Sequence, residues 1–283
     1  MMHMNNEFNI KINQEELNRL TRIIYNNFGI NLTEKKKLLI ESRLSSIIKA
    51  KNFNNFTEYI NYLENYKNQM PLIELVDKIS TNHTYFFREH NHFEFLERKI
   101  LPTIFNQASQ LGEEEIRIWS SGCSSGEEPY TIAMILNEYI NNNQIQCKTK
   151  ILATDISITV LNEAKQGIYT QDRIKTLPKY LKIKYLNKVT NEQFEVKDIL
   201  KRMIQFKKLN LMNEIFPFKK QFDLIFCRNV MIYFDEKTRN KLAEKFSQHL
   251  KDDAYLLIGH SETIRSNKTL KYIMPATYKK STR

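Results

Sequence analysis

The sequence predicts an α/β protein, with an all-helical amino-terminal domain followed by a doubly wound, mostly parallel sheet that carries a small inserted β-subdomain. Three observations carry this. Apolar residues recur at helical spacing through the first 110 residues, with no strand pattern among them. From Ile116 onward short apolar strands alternate with helical segments, the mark of parallel strands joined by crossovers. Residues 168–203 then interrupt that alternation with a stretch too long for a plain connection. The expected division is residues 1–80 as the helical domain, 81–110 as a linker and helix contributing to a ligand site, and 111–283 as the sheet domain with its insertion.

In the helical domain, Leu17, Leu20, Ile24 and Phe28 form one stripe, and Gly29 follows as a stop. Thr33 is expected to cap a second helix with Ile40, Leu44, Ile47 and Ile48 inward; Lys36 and Arg43 share one face of it. Thr57 is expected to cap a third helix through Tyr59, Ile60 and Leu63. Pro71 suits the first turn of a fourth, through Leu72, Leu75, Val76 and Ile79. In the sheet domain IRIWS (116–120), KILATD (150–155), IQFK (204–207), FDLIFC (222–227) and AYLLIGH (254–260) read as strands. Helical patterns cover 130–140, 160–164 and 242–250, and both faces of the sheet are expected to be covered.

Composition narrows the class. With 41% hydrophobic residues the chain can bury a core, and six glycines with six prolines exclude collagen-like or linker-rich architectures. Cys123, Cys147 and Cys227 fall in no paired spacing, which argues against a disulfide framework or a zinc site. No apolar run approaches the roughly 20 residues that span a bilayer. The segment MMHMNNEFNIKINQEE has no positive leader or apolar stretch, so a cytoplasmic protein without membrane insertion is expected. The net charge of +11 is uneven: residues 1–80 carry +2, 81–170 carry −4, 171–220 carry +8 and 221–283 carry +5. The +8 block fits either a lysine-rich solvated face or a surface for an acidic partner, nucleic acid or protein.

Candidate chemistry gathers where strands end. SSGCSSGEE follows the first strand and opens a helix; Gly122 and Gly126 let backbone approach a ligand, and the helix start offers free amides. The spacing is not G-x-G-x-x-G. Glu127 and Glu128 would repel a pyrophosphate and suit a cationic ligand, though alone they are also ordinary acids at a helix start. Asp155 ends the second strand, where doubly wound folds place the acceptor for ribose hydroxyls. A nucleoside with a positive centre and no phosphate satisfies both, and S-adenosylmethionine is such a ligand. Arg228, Asn229 and Tyr233 follow FDLIFC, while Asn82, Thr84 and Arg88 lie in STNHTYFFREHNHF (80–93), at the junction of the domains. GCSSG also matches the G-x-S-x-G nucleophile elbow, with Ser124, Asp223 or Asp252, and His260 in hydrolase order. Only helices precede its strand, which the hydrolase topology forbids. His90 and His92 have no HExxH or cysteine neighbour and read as surface or core; Trp119 reads as core.

The runs TNHTYFFRE, WSSGCSSGEEPYTIA, ATDIS, LNLM, FCRNVMIYFD and GHSE span almost the whole chain. Through them it resembles the chemotaxis receptor methyltransferases, the CheR-type protein-glutamate O-methyltransferases. The resemblance implies a Rossmann-like S-adenosylmethionine-dependent methyltransferase domain beside the helical one. It implies Asn82, Thr84, Arg88, Glu128, Asp155, Asn210, Leu211, Arg228 and Asn229 as cofactor contacts, and Arg88 and Tyr233 as the residues nearest methyl transfer. S-adenosylhomocysteine would be the product, and no metal is implied. The partner would be the cytoplasmic helical region of methyl-accepting chemotaxis receptors, methylated on glutamate by a monomer that binds no nucleic acid. Members that dock a receptor-tail pentapeptide carry a glycine-rich insertion; LKIKYLNKVTNEQFEVKDILKRM has no glycine, so such tethering is not expected.

A glutamate carboxylate, with an ordinary pKa of about 4.3, needs no general base. That accords with the lack of a His/Asp or Cys/His constellation in the sequence, and leaves positioning and desolvation as the enzyme's contribution. Lys36 and Arg43, beside Lys35 and Lys37, are read as substrate-binding cations. Two other classes stay in view. One is a non-catalytic module that senses S-adenosylmethionine or scaffolds receptors, against which Arg88, Asp155, Asn229 and Tyr233 stand intact. The other is a nucleic-acid methyltransferase, whose N/DPPY/F tetrad or attacking cysteine the sequence lacks.

Overall fold

A computed structural model describes residues 10–66, 70–80 and 82–281. The first nine residues of the leader reading, Thr81 of TNHTYFFRE and the Lys35 side chain lie outside the described residues. The chain divides into two compact units, Met1–Thr81 and Asn82–Arg283.

The first unit is built from α1 (Gln14–Phe28), α2 (Lys37–Ala50), α3 (Phe56–Asn65) and α4 (Met70–Ile79). α1 begins with a capping box: Asn13 accepts from the Glu16 amide, and Glu16 accepts from the Asn13 amide at 2.8 Å. It ends where Gly29 takes a left-handed φ of 68°. Leu20, Ile24, Ile40, Leu44, Ile48, Ile60 and Val76 of the expected stripes are fully buried. Two expected caps are not made. Thr33 precedes a 3₁₀ turn, Glu34–Lys36, without a side-chain bond, so α2 starts only at Lys37. Thr57 lies inside α3, because Asn55, a stronger cap, already holds the Glu58 amide. The Thr57 hydroxyl instead donates to Glu16 at 2.6 Å and ties α3 to α1. Arg43 donates through Nη1 to the carbonyls of Ile79 and Ser80, both at 2.8 Å, covering acceptors that the end of α4 leaves open.

The second unit opens with an irregular segment. Phe87 and Glu89 both hold left-handed φ, 58° and 56°, so the helix expected through this stretch cannot form. α5 (His90–Phe95) then runs through a π turn, Leu96–Ile100, into α6 (Leu101–Leu111). β1 (Glu115–Ser121), α7 (Glu127–Asn142), β2 (Lys148–Asp155) and α8 (Ile158–Gln166) follow. The insertion comprises β3 (Ile168–Thr170), α9 (Lys179–Tyr185), β4 (Leu186–Lys188), β5 (Gln193–Val196) and α10 (Asp198–Lys201). Its strands form a separate antiparallel sheet in the order β3-β5-β4. The chain closes with β6 (Ile204–Lys208), β7 (Phe222–Cys227), α11 (Glu236–His249), β8 (Leu250–Ile258), β9 (Leu270–Met274) and β10 (Thr277–Lys280).

The large sheet has the order β6-β2-β1-β7-β8-β10-β9. Its first five strands are parallel and its last two form an antiparallel hairpin. The hairpin escapes sequence reading because β9, at the edge, buries only Leu270 and so shows no apolar run. Strand order reverses between β1 and β7, which opens a crevice at the carboxyl ends of these strands. Trp119 is core, as read. It is wholly buried beside Phe216, Phe218, Phe222 and Phe246, and its indole N–H donates to Thr154 Oγ1 at 2.9 Å. α7 and α8 pack on one face of β2 and β6. Among the described residues of the second unit no helix covers the opposite face of these two strands, because the β6–β7 connection, residues 209–221, contains none. The expectation of a sheet covered on both faces is corrected there.

Arg43→Ala should therefore lower the stability of the first unit by about 1–2 kcal/mol, the scale of hydrogen bonds from a charged donor. An unchanged urea midpoint would show that the α4 contacts contribute nothing.

Candidate active site

The carboxyl ends of the five parallel strands bring most of the expected site residues to one rim. Residues 122–128 follow β1, Asp155 ends β2, Asn210 and Leu211 follow β6, Arg228, Asn229 and Tyr233 follow β7, and Gly259 and His260 follow β8.

The β1–α7 loop turns through two left-handed glycines, Gly122 at φ 107° and Gly126 at φ 97°. A Cβ on Gly122 would lie 2.4 Å from Cγ2 of Val230, so the glycine serves packing against the β7 loop as well as the turn. Ser124 donates its amide to Asp155 Oδ2 at 2.9 Å, and Ser157 donates its amide to Oδ1 at 3.0 Å. Asp155 thus fastens the loop at the end of β2, the place where doubly wound folds set the acceptor for ribose hydroxyls. Glu127 is wholly buried; it accepts from Ser125 Oγ at 2.9 Å and from Arg173, which reaches in from the insertion.

Arg228 holds the centre. Its side chain is 1% exposed and donates to Glu128 Oε2 and Glu89 Oε2, each at 3.1 Å, and to the carbonyl of Arg88. It also lies 5.0 Å from the centre of the Phe93 ring. Glu89 Oε1 accepts from Asn229 Nδ2 at 3.1 Å and from the His260 amide at 3.2 Å. Burial works to raise the Glu89 carboxyl, but Arg228, Asn229 and the His260 amide outweigh it and hold it below its ordinary range. Glu128 shifts the other way. Burial raises its carboxyl and prevails over Arg228 and over the Ser120 hydroxyl that donates to it at 2.7 Å. Glu262, also buried, accepts the amides of Asn229 and Ile232 at 3.0 Å each, and that of Gly259, latching the β7 loop to the end of β8.

The remaining expected residues stand as follows. Arg88 is half-buried; Nη1 donates to the His83 carbonyl, and no carboxylate of the described residues pairs with its guanidinium. Tyr233, itself half-buried, ends a 3₁₀ turn, Met231–Tyr233. Asn82 is exposed and Thr84 half-buried on the segment leading to Arg88. Asn210 accepts the Met212 amide at 2.9 Å, and the carbonyl of buried Leu211 accepts from Lys245 at 2.6 Å. Lys36 and Arg43 belong to the first unit, where Lys36 ends the 3₁₀ turn and Arg43 closes α4. The guanidinium of Arg228 is taken up by protein acceptors, which makes it a keystone of the rim. Sequence reasoning passed over Glu89 and Glu262. Both stand in the FFRE and GHSE runs, but partners 139 and 33 residues away cannot be read from local pattern.

His92 lies beneath this network, its ring edge-on to His260 at 4.6 Å and Nδ1 3.5 Å from Glu89 Oε2. Burial, aided by the Arg228 charge, pushes its imidazole down to about 4. Glu89, His92 and His260 bring three ligand atoms within 4.8 Å of one another. Arg228 bonds that same carboxylate, however, and a dication there would face its positive charge, so no metal is assigned.

The donor set fits a nucleoside: an acid at the end of β2 for ribose, beside a glycine turn whose helix start carries acids in place of the glycine-rich phosphate fingerprint. Fold and rim together define an S-adenosylmethionine-binding methyltransferase. The model of the CheR methyltransferase SAM binding domain matches residues 82–280, and that of the CheR methyltransferase all-alpha domain matches residues 15–80. The chain belongs to the CheR methyltransferase family. It is 69% identical over 278 residues, 98% of each chain, to a chemotaxis protein methyltransferase of Borreliella burgdorferi. It is 38% identical over 245 residues to a probable chemotaxis protein methyltransferase of Rhizobium etli, covering 86% of this chain and 90% of the other. With the chemotaxis protein methyltransferase of Escherichia coli it shares 32% over 256 residues, 89% of this chain and 86% of that one.

Two outcomes follow from the burial. Arg228→Met leaves Glu89 and Glu128 facing each other unpaired, so thermal unfolding should report a loss of about 3–5 kcal/mol; a wild-type melting curve would remove Arg228 as keystone. For His92 the folded pKa of about 4 lies below the ordinary 6.5, so folding favours the neutral ring. Its contribution is complete above pH 6.5 and is lost as pH falls towards 4, a span of about 3 kcal/mol. His92→Phe should flatten the stability–pH profile in that window, and an unaltered slope would discharge His92 from the role.

Proposed function

We propose that the protein methylates glutamate side chains on the cytoplasmic helical region of methyl-accepting chemotaxis receptors, forming glutamate methyl esters, and that it does so in the cytoplasm. The observation that supports this best is the rim itself: Asp155 ends β2 against the glycine loop, and Arg228, held by Glu89 and Glu128, bonds the backbone carbonyl of Arg88 and so fixes the segment that carries it. The relatives named chemotaxis protein methyltransferases support a substrate within chemotaxis signalling.

Bound S-adenosylmethionine supplies an electrophilic methyl group on a sulfonium. The chain's own groups bind and orient. Asp155 takes the ribose hydroxyls, and Asn210 the adenine edge. Arg88 holds a carboxylate, of cofactor or acceptor, as a bidentate pair. Tyr233 aligns the acceptor for in-line attack. An acceptor glutamate is ionised at neutral pH, so no residue has to remove a proton from it. Of the two cations read as substrate contacts, Lys36 stays in this proposal, whereas Arg43 is committed to the end of α4.

Incubation with radiolabelled S-adenosylmethionine and a receptor cytoplasmic fragment should give label that base releases as methanol. In the same system Arg88→Ala and Tyr233→Phe should lower kcat at saturating cofactor well before they lower Tm. Asp155→Ala should weaken cofactor binding by about 1–3 kcal/mol in titration calorimetry. Wild-type protein that releases no methanol from receptor fragments would sink the reading.

A further inference from the structure

The helix-free β6–β7 connection leaves a cleft on the open face of the sheet. Leu152 of β2 stands opposite Gln205 of β6 there, and Thr154 opposite Lys207. With Met203, Pro217 and Phe218 these residues enclose about 580 Å³. Six cations line the cleft, Arg117, Lys150, Arg202, Lys207, Lys208 and Lys219, and no carboxylate of the described residues does. Glu115 serves both Lys150, at 2.6 Å, and Arg117, at 3.7 Å. Arg202, Lys207, Lys208 and Lys219 are exposed and have no ion pair among the described residues. These four belong to the strongly basic stretch 171–220, so part of its excess charge faces this cleft. Like charges gathered around one hollow raise its potential and draw in an anionic partner.

The floor decides which anion. Leu152 and Met203 are half-buried and aliphatic, which suits apolar side chains along one face of a helix better than a sugar–phosphate strand. The position agrees. Doubly wound sheets carry a helical layer on each face, and here that layer is missing over two strands, leaving room for a helix supplied by another chain. We infer that the cleft seats an acidic, amphipathic helix of the protein substrate, its aliphatic side on Leu152 and Met203 and its carboxylates among the four exposed cations. That this substrate is a chemotaxis receptor rests on the function proposed above.

The test is a split in kinetic constants. Lys207→Glu/Lys219→Glu should raise KM for a receptor cytoplasmic fragment at least tenfold, with kcat and the calorimetric Kd for cofactor within twofold of wild type. Added salt should raise KM of the wild type steeply and that of the variant little. A variant with the same change of charge elsewhere, Lys268→Glu/Lys271→Glu, should leave KM within twofold. An unchanged KM in the first variant, or an equal rise in the second, overturns the cleft while methylation itself stands. If no receptor fragment is methylated, fluorescence anisotropy decides the cleft separately. A stapled helical peptide with leucine on one face and glutamate on the rest should bind at least tenfold tighter than polyglutamate of equal charge, and the Lys207/Lys219 reversal should abolish the difference. Equal binding of the two peptides, or preferential binding of a DNA 20-mer that the reversal abolishes, overturns the acidic helix.

Discussion

A guanidinium that is 1% exposed cannot stay unpaired, and the rim of this methyltransferase is arranged around that fact. Arg228 takes one carboxylate from each side, Glu89 from the segment before α5 and Glu128 from the first turn of α7. The backbone bends to allow it: Glu89 and Asn229 both adopt left-handed φ, 56° and 59°. Two carboxylates on one cation leave a surplus negative charge in a place water hardly reaches. The two acids shift in opposite directions: Arg228, Asn229 and the His260 amide lower the Glu89 carboxyl, and burial raises that of Glu128.

Much of the fold was legible because its signals are local. IRIWS alternates, KILATD carries a short apolar run and FDLIFC is buried along its whole length, and all three are strands. The ends of those strands were legible too, so Asp155, Arg228 and Asn229 could be placed on one rim from sequence alone. What could not be read depends on partners far along the chain. Thr57 looked like a cap, but its hydroxyl serves Glu16, 41 residues away. Arg43 reads as a substrate-binding cation on a helix face, but its reach to α4 depends on how the helices of the first unit pack. The open face over β2 and β6 was hidden for a different reason: alternation predicts a helix in each crossover, and the loop after Asn210 packs Phe216 and Phe218 against Trp119 in its place.

The insertion bears on the cofactor loop through a single buried acid. Glu127 has no exposure, and Arg173 reaches it from the turn after β3. Tyr169 donates to the Ser125 carbonyl at 2.7 Å, a second tie between the same two elements. Gly126 packs so closely beneath these contacts that a Cβ there would lie 2.9 Å from the Tyr169 hydroxyl. The insertion therefore braces the loop that Asp155 fastens from the opposite side, and the turn is held between two supports.

Glu89 draws its partners from far downstream: Arg228 is 139 residues on, Asn229 is 140 and the His260 amide is 171. While the chain is being made, amino end first, Thr131 and Thr176 can hold Phe87 and Phe86 early, but Glu89 leaves the ribosome long before its own partners exist. The rim closes only once the end of β8 has emerged, so no nascent chain shorter than that can bind cofactor in the finished geometry. Stabilisation by bound ligand acts only on the folded form. For this protein it arrives only after β8 has been made and gives no help to the intermediates that precede it.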